Sequence, residues 1–411
     1  MHRPKWHRLC LLARIRALLV GRDFLLRIMS VIGTRPEAIK MAPLIASIQT
    51  RADFEHCLCL SGQHRDLVHP VLAQFGISAD HDLEVMSADQ SLTSLGAAIL
   101  EGIGAMIQIE QPDWMIVQGD TSTSFAAALA AFYAHIPLLH LEAGLRSGDR
   151  LDPWPEESHR KMIAPLAHLH AVHTLAAQKN LEREGIDPRS ILISGNSGID
   201  AVQQMCTRLD RDEALAAQAQ ALLRIMPQGR RLIYVTCHRR EKRWIRLKAL
   251  SRALVRLAAR GDVEIIVSVH PSPEIDHLMR TSLADVAHVH LLNPLDYASS
   301  IHLLRQAHFV ISDSGGMQEE APYLGKPILV LRESTERQEA VDAGAAILVG
   351  HSEQRIHAEA CRLLDHPAHY AGMARRRTLF GDGHASERII DRIAGMMTDA
   401  WVPETYHAES G

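Results

Sequence analysis

The sequence predicts two doubly wound α/β halves, each a parallel sheet covered by helices, facing each other across a cleft. Three observations carry this. Twelve short apolar runs alternate with helix-length segments. The runs are rich in β-branched residues and have no polar face, as strands buried on both sides do. The chain has 411 residues, enough for two or three domains, and twelve strands are too many for one compact sheet.

Taken in order, residues 1–25 form an N-terminal extension. Leu11, Leu12, Ile15, Leu18 and Leu19 fall at helical spacing, but Arg14 and Arg16 interrupt the apolar core that a secretory signal needs. The first six strands are expected at Arg27–Ile32, His56–Leu60, Trp114–Val117, Leu138–Leu141, Leu169–Val172 and Ile191–Ser194. The second six are expected at Leu232–Thr236, Glu264–Val269, Val289–Leu292, Phe309–Ser312, Ile328–Leu331 and Ile347–Val349. Between them lie helical patterns such as Leu92–Glu110, Phe125–Ala134, Leu247–Arg260 and Tyr297–Gln306. Such alternation gives parallel strands joined by right-handed crossovers. The break between halves is expected near Gly195–Ala201, before a long polar helical stretch at Val202–Leu223. This sets one Rossmann-like domain at 26–198 and a second at 199–385. The segment 386–411 opens with a helical stretch, Ser386–Met397, expected to cross back onto the first half.

Composition narrows the function. Lys and Arg total 44 against 48 Asp and Glu, a net charge of -4, so no global basic field exists to hold nucleic acid. Aromatics at 4% leave no stacking platform for single strands. The six cysteines form no CxxC pair and no Cys/His array has zinc spacing, so no metal is expected. Cys57 and Cys59 read as core thiols, and a reduced, cytoplasmic setting fits. The longest uncharged run, Thr121–Leu141, carries two histidines and is cut by Pro137. A polar helix start, an Ala-rich helix and a short strand explain it better than a membrane span, and no membrane insertion is expected.

Ligands of open α/β sheets bind beyond the carboxyl ends of the strands, and the chemistry-bearing residues fall there. Gly33-Thr-Arg-Pro-Glu-Ala-Ile-Lys40 follows the first strand and puts Arg35 at a helix mouth, placed to clamp an anion. Neither GxGxxG nor a Walker loop occurs, so no dinucleotide or ATP fingerprint is present. Asp120 ends a strand within Gln118-Gly-Asp-Thr-Ser-Thr123, and Glu142 ends the next within His140-Leu-Glu-Ala-Gly-Leu-Arg146. Trp154-Pro-Glu-Glu157 opens a helix with Glu156 and Glu157, and Arg160 follows one turn on. Singly these acids read equally well as helix caps or dipole-favoured first-turn residues. Together, Asp120, Glu142 and Glu156 suit acid–base chemistry. In the second half, His238 lies in Thr236-Cys-His-Arg-Arg-Glu241, a setting for a polyanion. Ser314, Gly315 and Gly316 open a helix whose free N–H groups suit a diphosphate. Glu320, further along, is placed to accept ribose hydroxyls, and Arg337 follows the next strand. A nucleotide sugar satisfies both halves.

Eight motifs then stand in order: GTRPEAIKMAPL from Gly33, SGQHRDL from Ser61, GDTSTS from Gly119, HLEAGLRSGD from His140, WPEESHRK from Trp154, HRRE from His238, SDSGGMQEEAPYLGKP from Ser312 and TERQEA from Thr335. Over about Ile28 to Ile393 the chain resembles the bacterial non-hydrolysing UDP-N-acetylglucosamine 2-epimerases. The resemblance implies a GT-B-like fold, a UDP-sugar substrate, a homodimer and no cofactor. It implies loss of the C2 proton with departure of UDP, then re-addition of UDP to 2-acetamidoglucal to give UDP-N-acetylmannosamine. On matched motifs, Asp120, Glu142, Glu156 and His238 are the expected catalytic set. Arg35, Lys40, Arg146, Ser314, Gly315, Gly316, Glu320 and Arg337 are the expected substrate contacts. Gln63, His64 and Arg65 match a region that lines a second, activating nucleotide-sugar site in some members. The chain departs from the pattern at Lys242-Arg-Trp-Ile-Arg246, which lacks the usual glycine, and at Gly198, Cys237 and Ser300. Three alternatives are a hydrolysing 2-epimerase releasing N-acetylmannosamine and UDP, a GT-B glycosyltransferase, and a catalytically impaired nucleotide-sugar-binding protein.

Overall fold

The structure, a computed structural model, describes residues 25–87, 90–221, 229–237, 243–270 and 272–398. The extension at 1–24 and His238 lie outside the described residues. Residues 25–197 with 384–398 form one compact unit, and residues 198–383 form a second.

The first unit runs β1 (Leu26–Ile32), α1 (Arg35–Gln49), β2 (Phe54–Leu60), α2 (Arg65–Gln74), β3 (His81–Asp82), α3 (Leu92–Glu110) and β4 (Trp114–Gln118). It continues with α4 (Ser122–Tyr133), β5 (Leu138–Ala143), α5 (Glu156–Ile163), β6 (Leu169–Val172), α6 (Leu175–Arg183) and β7 (Ile191–Ile193). Helix α7 (Ser197–Arg211) starts at the junction. The second unit holds α8 (Glu213–Ala221), β8 (Arg231–Thr236), α9 (Arg243–Ala258), β9 (Val263–Ser268), α10 (Pro273–Leu283) and β10 (Val289–Leu292). It then holds α11 (Tyr297–Gln306), β11 (Phe309–Ser312), α12 (Gly315–Tyr323), β12 (Ile328–Val330), α13 (Gln338–Asp342), β13 (Ala346–Leu348), α14 (Glu353–Asp365) and α15 (Pro367–Met373). The chain then returns to the first unit as α16 (Ala385–Thr398).

Both sheets are parallel and doubly wound, as predicted. Their orders are β3-β2-β1-β4-β5-β6-β7 and β10-β9-β8-β11-β12-β13. Consecutive residues of β1 feed opposite cores. Ile28 packs with α1 and with Ile389, Ile390 and Ile393 of α16, while Met29 packs with Cys57, Cys59 and the Leu95, Ile99, Ile103 and Ile107 stripe of α3. Among the described residues α3 is the one helix long and apolar enough to cross a membrane, but that stripe is buried in the unit's core. All twelve expected strands form, and a thirteenth, β3, is too short to leave a pattern. The uncharged run resolves into α4 and β5. Helix α4 starts at Ser122, earlier than expected, because Thr121 Oγ1 caps it by accepting from the Ser124 N–H at 3.0 Å.

Each sheet reverses direction between its first and fourth strands, at β1/β4 and β8/β11. Loops leaving the carboxyl ends of these strands part to opposite faces there, which opens a crevice. The motif residues sit at those two points.

Candidate active site

At the first reversal, two strand ends are tied by one acid that the sequence reading missed. Glu37, in the first turn of α1, is fully buried. Its Oε2 accepts the N–H groups of Gly33 at 3.0 Å and Thr34 at 2.6 Å. Its Oε1 lies 2.7 Å from both Thr121 Oγ1 and Ser124 Oγ. Burial raises the Glu37 carboxyl above its ordinary range, against the hydrogen bonds that favour its charged form. Proton counting agrees. Ser124 Oγ also lies 2.5 Å from the Gln118 carbonyl, and one hydroxyl proton cannot serve both acceptors. A neutral Glu37 that donates to Ser124 resolves this. Gly33 completes the stitch, since a Cβ there would fall 2.7 Å from Ser61 Oγ and closer still to Thr123. The available signal for Glu37 was its place three residues after the N-cap Thr34.

Beside this stitch stand two of the three expected acids. Glu142 adopts φ +65°, where β5 shifts register against β6 between Leu141 and Ala143. Its carboxylate meets Lys40 Nζ at 2.5 Å and accepts from Gln118 Nε2. A Cβ on Gly119 would lie 3.9 Å from Glu142 Oε2, so the carboxylate rests next to the turn carrying Asp120. Asp120 is bound by Arg160, with Nε 3.0 Å from Oδ2. Its backbone carbonyl bonds His159 Nδ1 at 2.9 Å. The turn is also held from below by buried His140, whose Nε2 donates to the Gly119 carbonyl at 2.7 Å. Burial drives the His140 pKa down to about 3, so the ring is neutral. Its proton sits on Nε2 because a carbonyl can only accept.

The paired acids of α5 separate cleanly. Glu157 is fully buried and binds the Ser147 N–H at 3.0 Å and Arg160 at 3.3 Å. The Glu156 side chain has no hydrogen bond or ion pair among the described residues, so of the two it is the carboxylate available to a ligand.

The remaining expected contacts of this unit divide. Lys40 is engaged with Glu142, and Arg35 is the half-buried first residue of α1. Arg146 forms a two-point ion pair with Glu184, at 2.8 and 2.6 Å, which lowers the Glu184 pKa. Gln63 Oε1 accepts from Thr123 Oγ1 at 2.8 Å, and the His64 N–H donates to the Gly33 carbonyl at 2.9 Å. Both thus adjoin the same stitched loops. Arg65 opens α2, and its side chain lies outside the described residues.

In the second unit, Ser314 is the N-cap of α12, and Gly315 and Gly316 are its first two residues. The Ser314 N–H donates to Ser312 Oγ at 3.0 Å, and Arg332 Nε holds the Asp313 carbonyl at 2.7 Å. Arg337 lies against Gly315, where a Cβ would come within 2.9 Å of Cζ. The guanidinium is fixed there by Glu319 at 2.9 Å and Glu336 at 2.6 Å. Glu320 reaches back to within 3.7 Å of a Cβ on Gly316. Ser314, Gly315, Gly316, Glu320 and Arg337 therefore gather at one helix start, a setting for an anion. Cys237 Sγ points at Asp313 Oδ2, 3.4 Å away, and burial holds its thiol well above the ordinary pKa. Ser300 Oγ bonds the Tyr234 hydroxyl at 3.0 Å.

Comparisons with known proteins bear on the family and the fold. The family model described as UDP-N-acetylglucosamine 2-epimerase matches residues 46–394. The UDP-N-acetylglucosamine 2-epimerase of Salmonella typhimurium is 40% identical over 369 residues, 90% of this chain and 98% of that one. The crystal structure of UDP-GlcNAc 2-epimerase from Neisseria meningitidis bound to UDP-GlcNAc superposes with a TM-score of 0.87 at 36% identity, covering 90% of this chain and 100% of that one. The Methanocaldococcus jannaschii enzyme, in complex with UDP-GlcNAc and UDP, gives a TM-score of 0.79 at 28% identity over 90% of this chain and 99% of that one. The family model, the curated relatives and the superposed structures coincide over nearly the whole described chain, and this chain belongs to the UDP-N-acetylglucosamine 2-epimerase family.

Proposed function

We propose that the chain interconverts UDP-N-acetylglucosamine and UDP-N-acetylmannosamine by elimination and re-addition of UDP. A carboxylate of the first unit takes the C2 proton, and the C–H electron pair becomes the C1=C2 bond of 2-acetamidoglucal. The C1–O bond breaks, and its electrons leave on the diphosphate. In return, the UDP oxygen attacks C1 while C2 is protonated on the opposite face. Asp120, Glu142 and Glu156 form the acid–base set. Ser314, Gly315, Gly316, Glu320 and Arg337 bind UDP, and His238 assists the departing phosphate.

The observation that carries this reading is Glu142, held beside Gly119–Asp120 in a left-handed conformation and matched to Lys40. Ordinary strand backbone would not need φ +65° there, and such strain gathers at working sites.

Proton NMR of UDP-N-acetylglucosamine with the enzyme in heavy water tests the proposal. The expected product is UDP-N-acetylmannosamine carrying deuterium at C2. Full protium retention at C2 refutes the elimination, and free N-acetylmannosamine with UDP identifies the hydrolysing reaction instead.

A further inference from the structure

A second cluster of chemistry-bearing side chains lies in the first unit, away from the acids above. Cys57 stands mid-strand in β2, His81 opens the edge strand β3, and Glu110 ends α3. One ligand atom from each lies within 4.8 Å of the other two. His81 Nε2 is 2.7 Å from Glu110 Oε1. Cys57 is almost wholly buried, while His81 and Glu110 are partly open to solvent. Glu110 closes α3 just before β4 begins, and Arg27 beside it is the second residue of β1. The cluster therefore sits toward the amino ends of the strands, whereas Glu142 lies at the carboxyl end of β5 and Asp120 just past that of β4.

We propose that Cys57, His81 and Glu110 bind one divalent transition-metal ion of the zinc type, with water as the fourth ligand. Thiolate, imidazole and carboxylate are the three side-chain ligand classes that zinc takes, and this mixed set with sulfur excludes magnesium and calcium. Metal–ligand distances of about 2.0–2.3 Å put the ligands of a tetrahedral shell roughly 3.2–3.8 Å apart. Small rotations of His81 and Glu110 would break their 2.7 Å hydrogen bond and bring all three ligand atoms to that spacing. On binding, the Cys57 thiol proton passes to solvent. Thiolate and carboxylate then balance the ion's charge, with His81 neutral.

The surroundings supply the outer partners. Arg27 Nη1 donates to the Glu110 carbonyl at 2.5 Å and stands 4.0 Å from its Oε2, which orients the carboxylate. Its positive charge is itself countered by Glu55 at 2.9 Å. Burial, with the negative charges of Glu110 and Asp80, raises the Cys57 thiol pKa, so the ion has to displace a firmly held proton. The proposed epimerisation does not use this ion. Its effect is mechanical, because β3 pairs with β2 through only Cys59↔His81 and Leu60↔Asp82. An ion would pin that short edge to β2 and α3.

The test uses the full-length protein stripped with chelator and titrated with Zn²⁺ or Co²⁺ alone. One ion per chain is expected. Cobalt should add the visible bands of a tetrahedral site and a near-ultraviolet thiolate-to-metal band. Cys57→Ser should abolish that band, and Cys59→Ser should keep it. His81→Gln and Glu110→Gln, both partly exposed, leave the core intact and should each weaken binding at least about tenfold. Zinc should raise the melting temperature of the parent but not of His81→Gln. A thiolate band that persists in Cys57→Ser, unchanged affinity in both His81→Gln and Glu110→Gln, or no cobalt band at all would overturn the proposal. Binding by others of the 25 histidines would show itself as the second of these outcomes.

Discussion

Replacing Glu37 by Ala and by Gln should have sharply different consequences. In Glu37→Ala, the Thr121 and Ser124 hydroxyls can turn to each other across 3.0 Å, but the Gly33 and Thr34 N–H groups lose their shared acceptor. Two stranded buried donors at about 1–3 kcal/mol each give a loss of roughly 2–6 kcal/mol. For a unit of this size that lowers the melting midpoint by on the order of 10 °C, at about 2–4 °C per kcal/mol. Glu37→Gln keeps one acceptor oxygen for both N–H groups and offers an NH₂ where the neutral acid would place its proton. It should cost within about 1 kcal/mol. The pH dependence follows from the raised pKa. A carboxyl raised in the folded state stabilises the fold at low pH, and this contribution fades as pH climbs from the unfolded value of 4.5 through the folded one. As pH rises above 4.5 and through the raised folded value, the parent should therefore lose stability relative to Glu37→Gln. Guanidinium unfolding followed by fluorescence of Trp114, buried in this unit, measures all three proteins. Equal losses in the Gln and Ala variants, or parallel pH curves for parent and Gln, would refute the neutral-acid assignment.

Asp120→Asn, Glu142→Gln and Glu156→Gln should each lower kcat by at least about 10²-fold, with UDP affinity little changed in calorimetry. Glu157→Ala should behave differently from Glu156→Gln. Loss of its buried bonds to Ser147 and Arg160 costs about 1–3 kcal/mol in unfolding experiments. Gly315→Ala forces a Cβ to within 2.9 Å of the Arg337 guanidinium, and UDP affinity should fall about tenfold or more as one charge-assisted contact is displaced. Dialysis against chelator should leave turnover intact while removing the zinc-dependent rise in melting temperature; chelator-abolished turnover restored by metal would contradict the mechanism.

What could be read from the sequence was what lies close along the chain. β-branched apolar runs fixed every long strand, and acids directly after them marked Asp120 and Glu142. Gly315-Gly316 after β11 marked the start of α12. What escaped depends on partners far apart in sequence. Glu37 looked like an ordinary first-turn acid until Thr121 and Ser124 were seen to close over it. Glu156 and Glu157 are indistinguishable as letters, and only the packing of α5 buries one of them. Arg146 was read as a substrate contact from its motif, and its pairing with Glu184 had no local signature. Cys57, His81 and Glu110 likewise have no ligand spacing along the chain, since two neighbouring strands and a helix end bring them together only in the fold.

The return of α16 to the first unit also governs how the protein is made. Ile389, Ile390 and Ile393 complete the core formed by β1 and α1, yet they are among the last described residues to leave the ribosome. Domains generally finish folding in the order of their synthesis. Here residues 198–383 can close their sheet first, while the opening half of the chain waits with an apolar groove along α1 uncovered. A message truncated before codon 384 would therefore yield a well-formed second unit attached to an aggregation-prone first one.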